Sequence, residues 1–174
     1  MTHEQLTAPK ESKNEQINNQ NHANLFFDSQ GVVHKEFVPP EQTVNKQYYR
    51  EVLERLRKRV YRVRPEIADT WMLYHDNAPC HTSISVNEFV ANKGISVVPL
   101  PPYSPDLSPC DFFTFPKLKF DLKGRHFGTV DNIQKVVRTL LHEDFQHCYR
   151  EWEQRLRRCV ASQGNYFEGD NVDL

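Results

Sequence analysis

The chain has 174 residues, and its 22 basic and 23 acidic side chains leave a formal charge of −1. That length suits one domain with a tail, and the near balance of charge gives no bulk sign of a nucleic-acid or membrane partner. An apolar fraction of 38% and a mean hydropathy of −0.72 mean that part of the chain does not build core, and no apolar run reaches the ~20 residues of a membrane span. The first residues carry no hydrophobic signal region, so secretion by that route is not expected. Cys80, Cys110, Cys148 and Cys159 are too widely spaced for a disulfide scaffold and fit a reducing compartment.

Residues 1–23 read as a polar tail: seven are Asn or Gln, and the large aliphatics are Met1, Leu6 and Ile17. Such a segment cannot offset its own ordering entropy, and disorder is expected. Leu25-Phe26-Phe27 and Val32 to Val38 flank Asp28-Ser29-Gln30-Gly31, which predicts a hairpin with Gly31 at positive φ. Thr43 is the expected cap of a helix running to about Arg64, with Val44, Tyr48, Val52, Leu56, Val60 and Val63 at helical spacing. Its later turns carry Arg55, Arg57, Lys58, Arg59, Arg62 and Arg64. These form either a solvated outer face or a phosphate-contacting one, with Arg55, Arg57, Lys58, Arg59 and Arg62 as the candidate contacts.

Trp71 to His75 reads as a short buried parallel strand that ends at Asp76-Asn77. A helix from about Ser83 to Asn92 follows, with Gly94 just past its end, and then a strand at Ser96–Leu100. Pro101-Pro102-Tyr103-Ser104-Pro105 forms a stiff loop. Ser108 and Pro109 suit the N-cap and first turn of a helix to about Lys123, interrupted by Pro116. Two more helices fit 129–142 and 143–161, the last with Phe145, Tyr149, Trp152, Leu156 and Val160 inward and several arginines outward. The alternation of strands and helices predicts an α/β domain on a mixed sheet.

Two carboxylates stand out. Asp76 follows a parallel strand, where open α/β sheets place ligands. Asp111 opens a helix after the proline loop, with 34 residues between the two. Paired carboxylates at one sheet edge are hard oxygen ligands suited to Mg²⁺, although Asp is also routine at strand and helix ends. Cys80, His81, Cys110 and His75 match no standard zinc spacing, and ordinary reduced thiols are the expectation.

His75-Asp76-Asn77-Ala78-Pro79-Cys80-His81-Thr82 resembles the HDNAPxHT signature of mariner-family transposases. Pro101 to Phe113, reading PPYSPDLSPCDFF, looks like that family's PYSPDLxPxDFxLF block at the family's separation. Phe37 to Asn45, Leu122 to Phe127 and Cys159 to Asp170 also resemble family sequence. Two long motifs at the right distance are far more specific than one short pattern. The resemblance implies a partial catalytic domain over 24–170, with 171–174 as a C-terminal tail, and an RNase H-like fold. It also implies a three-aspartate site that holds Mg²⁺ or Mn²⁺ for cleavage and joining of DNA. By motif, Asp76 would be the second carboxylate and Asp111 the third, each both catalytic and a metal ligand. Asp106 would be structural, and His75 and Asn77 would shape the strand end.

The family's first aspartate lies on a first strand that should precede the hairpin. The residues before Asn24 show neither that strand nor an acidic residue in such a context, and Asp28 reads as a turn residue. The family's helix-turn-helix DNA-recognition domains have no counterpart in this sequence either. The expected fold is therefore truncated at the first strand, with the hairpin pairing directly on strand 71–75 or borrowing a strand. The expected function is that of a truncated catalytic domain, with transposition lost or impaired, weak metal binding and some nucleic-acid affinity. The alternative is a host-adopted module that binds DNA or protein without chemistry. Expected partners are DNA and another copy or a full-length transposase subunit, not a membrane or a small-molecule substrate, and a DNA substrate implies the nucleus.

Overall fold

A five-stranded sheet organises the chain in the order β3-β2-β1-β4-β5. The computed structural model describes residues 2–3, 23–39, 41–117 and 140–163. The strands are β1 (Thr2–His3), β2 (Ala23–Asp28), β3 (Gly31–Phe37), β4 (Met72–Tyr74) and β5 (Ser96–Val98). The helices are α1 (Lys46–Val63), α2 (Ile84–Asn92) and α3 (His142–Ala161).

The central slot is not empty. Thr2 and His3 pair in parallel with Leu73 and Tyr74, and His3 lies antiparallel to Phe27. This corrects two expectations: a strand does precede the hairpin, and the hairpin does not pair directly with β4. The described part of this strand is Thr2–His3. Of the tail expected at 1–23, only residues 2, 3 and 23 fall among the described residues, all of them in strands.

The hairpin forms as predicted. Asp28 accepts the Gln30 backbone N–H at 2.8 Å, and Gly31 takes φ 129°. Arg64 clamps the same carboxylate, donating from Nε at 2.7 Å and from Nη2 at 3.2 Å. A bulge breaks the ladder: Phe26 faces His34 and Phe27 faces Val32, so Val33 has no partner across the strand. Its carbonyl is satisfied by Arg59 Nε at 3.2 Å.

Helix α1 lies on one face of the sheet. Its Tyr49, Val52, Leu53, Leu56 and Val60 are fully buried in one core cluster with Phe26, Leu73 and α2 residues Val86 and Val90. Asn45, not Thr43, is the N-cap, and its side chain accepts the Tyr48 N–H at 2.9 Å. The opposite face carries α3, where Phe145 and Cys148 join Leu25, Phe27, Cys110 and Leu140. Among the residues expected inward on α3, Phe145 and Trp152 are buried, whereas Leu156 and Val160 are exposed. The helix expected from Ser108 instead begins with a wide π-helical turn at Cys110–Thr114, and helical backbone continues through Pro116 to the last described residue of the segment. A widened turn relieves the clash between a proline ring and the carbonyl four residues before it. Residues 118–128 and the helix expected from 129 lie outside the described residues.

Glu36 ties the edge strand to α1. Its carboxylate accepts from Arg55 Nε at 2.9 Å, Arg55 Nη2 at 2.7 Å and the Tyr48 hydroxyl at 3.0 Å. Burial pushes its pKa up, but the bonds from Arg55 and His34 prevail and hold it below the ordinary value. A depressed folded-state pKa stabilises fully above the unfolded value of 4.5, and the gain is lost as pH falls through the folded value. We therefore expect Glu36→Gln to lower the urea midpoint at neutral pH and to flatten its fall on acidification. Wild-type and variant midpoints that decline in parallel would contradict this.

Candidate functional site

The predicted carboxylates sit where the topology delivers them. Asp76 lies just beyond the C-terminal end of β4, a strand flanked in parallel by β1 and β5. One carboxylate oxygen, Oδ1, accepts the Ala78 backbone N–H at 3.0 Å and also pairs with His81 Nδ1. His81 is 1% exposed, and its ring packs on Tyr49 at 4.0 Å between centroids. The Tyr49 hydroxyl is hydrogen-bonded to His75 Nδ1 at 2.8 Å. Helix α1 thus reaches the site through one tyrosine.

The charges in this cluster are separated. Burial, together with the neighbouring His81, pushes His75 down to about 4, so it is neutral at physiological pH. Burial also disfavours a charged His81, yet its bonds to Asp76 and Cys80 outweigh that and raise it to about 9. Burial would raise Asp76, and the His81 bond reverses this and lowers it. The result is a carboxylate held against an internal imidazolium.

Asp111 is exposed in the first turn of the π-helical segment, its backbone N–H bonded to the Ser108 carbonyl at 2.9 Å. The loop leading to it is pinned to the same end of the sheet. The Asn77 side chain donates to the Leu100 carbonyl at 2.8 Å. The Leu107 carbonyl accepts from both the Tyr74 hydroxyl and Trp152 Nε1, each at 2.8 Å. Asp106 is exposed on this loop, with Arg155 Nη1 4.0 Å from its carboxylate.

Asp76 and Asp111 offer the hard oxygen donors that Mg²⁺ or Mn²⁺ takes. Among the described residues, however, no group of three or more His, Cys, Asp or Glu side chains gathers to hold an ion. Asp76 and Asp111 fit in kind, and they are the two candidate carboxylates among the described residues. Glu4, the residue after β1 in the sequence, lies outside the described residues.

Of the candidate nucleic-acid contacts, Arg55, Lys58, Arg59 and Arg62 line one groove. Arg57 points elsewhere, 3.9 Å from Glu54 and over the Tyr61 ring. Sequence reasoning missed the pairing of Asp76 with His81, although both stand in one motif five residues apart. It also missed the double bond of Tyr74 and Trp152 to a single carbonyl, which no spacing announces.

A family model described as DDE superfamily endonuclease matches residues 5–134, three quarters of the chain, and the chain belongs to that family. The chain's sheet is the RNase H-like one that the motifs imply, and the chain is similar over most of its length to a mariner transposase catalytic domain. The mariner Mos1 transposase of Drosophila mauritiana is 30% identical over 151 residues, which are 83% of this chain and 44% of that protein. The human histone-lysine N-methyltransferase SETMAR is 24% identical over 150 residues, 83% of this chain and 22% of that protein. The crystal structure of the Mos1 catalytic domain superposes with a TM-score of 0.77 at 29% identity, covering 86% of this chain and 77% of that one. A pre-cleavage Mos1 transpososome gives 0.79 at 27% identity, covering 92% and 49%. Structures of the Mos1 catalytic domain have also been solved with Mn and with Mg. The chain spans less than half the length of the curated relatives it matches.

Removing His81's proton-bearing partnership should free Asp76 to protonate more easily. In His81→Gln, the Asp76 carboxyl followed by ¹³C NMR should titrate at higher pH than in wild type. An unchanged titration would remove His81 as the group that holds the carboxylate charged.

Proposed function

We propose that this chain is a mariner-type transposase catalytic domain that keeps DNA affinity and, by itself, lacks DNA cleavage and strand transfer. What supports this reading is that, among the described residues, no third His, Cys, Asp or Glu joins Asp76 and Asp111 in a group that could hold an ion. Asp76 and Asp111 are the residues that would hold Mg²⁺ or Mn²⁺, and they would hold it weakly. When bound, such an ion stabilises charge on a phosphate and activates the attacking oxygen.

What the chain's own residues do can be stated separately. Ala78 and His81 fix the orientation of Asp76, while Tyr74, Trp152 and Asn77 fix the loop before Asp111. The partner is DNA, recognised through its phosphates with little sequence preference. A full-length transposase subunit or a second copy would supply what this chain lacks, and a DNA substrate implies nuclear residence. A second reading, a host-adopted interaction module without chemistry, is favoured by the Asp76–His81 pair, which engages one of the candidate metal-ligating carboxylates within the chain.

The test is nicking of supercoiled plasmid in Mg²⁺ or Mn²⁺ by wild type, Asp76→Ala, Asp111→Ala and Glu4→Gln. All four should melt cooperatively and none should nick above background. Nicking by wild type that both aspartate variants abolish would sink the inactive reading. Its further loss in Glu4→Gln would identify the third ligand.

A further inference from the structure

The strongest feature outside the carboxylate end is a groove of about 980 Å³ along the outer edge of the sheet. It crosses the bulged strand β3, with α1 on one bank and the start of α3 on the other. Lys35, Arg55, Lys58, Arg59, Arg62 and His142 line it, and none of its lining residues is acidic. In the sheet order, β2 and β1 separate β3 from β4. The groove therefore lies about three strand spacings, or ~14 Å, to the side of the strand that leads to Asp76.

The chain is near neutral overall, but α1 alone carries seven basic and two acidic residues. Arg55, Lys58, Arg59 and Arg62 recur at i, i+3, i+4 and i+7, so they share one helix face over ~10 Å. This places Arg55 beside Arg59 and Lys58 beside Arg62 at i,i+4, an arrangement that destabilises a helix. The fold explains part of it, since Arg55 grips Glu36 and Arg59 Nε caps the bulged Val33 carbonyl. Both arginines are thereby held rigid, with further N–H donors on their guanidinium groups. Lys58 is 71% exposed and 3.9 Å from Glu54. Among the described residues, no ion pair engages Lys35 or Arg62. The fold gives no reason for that remaining charge.

We propose that this edge groove is a second nucleic-acid site that grips the phosphodiester backbone away from the carboxylate end. The groove is too long for one phosphate. Among its lining residues the one Phe, Tyr or Trp is Phe145, which is buried, so the groove offers bases no large exposed ring to stack on. The ligand is therefore an extended phosphodiester, read by charge and not by base. The inference deepens the DNA affinity proposed above by locating it, and rests on that reading.

The experiment is fluorescence anisotropy with a labelled duplex of about 20 bp, titrated from low salt upward. The combined Lys35→Gln, Lys58→Gln, Arg62→Gln protein should bind at least ~10-fold more weakly, with a log K against log salt slope shallower by about 2 to 3. Its melting point should match wild type, since those three side chains bury nothing. A charge-matched control, Lys93→Gln, Arg150→Gln, Arg157→Gln, should bind as wild type. The charge-preserving set Lys35→Arg, Lys58→Arg, Arg62→Lys should also retain binding. If wild type binds and the groove variant binds equally, or the control loses as much, the groove assignment falls while the DNA-affinity reading stands. No binding by wild type at low salt overturns both. Displacement of the duplex by poly-glutamate at lower charge concentration than by unlabelled duplex would assign the groove to an acidic protein and also overturn the proposal.

Discussion

Helix α1 packs against both halves of the sheet, and the rest of the structure depends on that packing. Between the hairpin and β4, the described backbone ladder runs through Thr2 and His3. Helix α1 adds side-chain contacts across the same join. Its buried face packs on Phe26 of the hairpin and Leu73 of β4 in one cluster. Its polar side chains bond both halves: Arg59 and Arg55 hold β3, and Tyr49 holds His75. Arg64, just after α1, holds the hairpin turn.

The candidate carboxylates Asp76 and Asp111 are each placed by their own anchors. Asp76 is oriented by a backbone N–H and a buried imidazolium, so its charge is balanced within the protein. The loop before Asp111 is fixed by the Leu107 carbonyl, which collects two hydrogen bonds, one from the sheet and one from α3.

Much of this was legible in the residues. The hairpin, Gly31, α1, β4 and the two carboxylate segments all follow from turn chemistry, periodicity and two motifs. The misses have physical causes. Thr43 and Asn45 are both competent caps, and only the path of the chain out of β3 decides between them. Leu156 and Val160 continue the apolar period of α3 and are nonetheless exposed, since periodicity gives a face and not what covers it. Thr2–His3 has no strand signature at all; the slot between two existing strands makes it one. His81 was visible in its motif, yet its role depends on a tertiary stack with Tyr49 and His75.

The central claim is that fold and carboxylate end persist while the ligand set is incomplete. Its most direct test is a Mn²⁺ titration of the whole chain followed by electron paramagnetic resonance. The account predicts at most one loosely held ion per chain, lost in Asp76→Asn. Two tightly held ions would show a complete site and contradict the account.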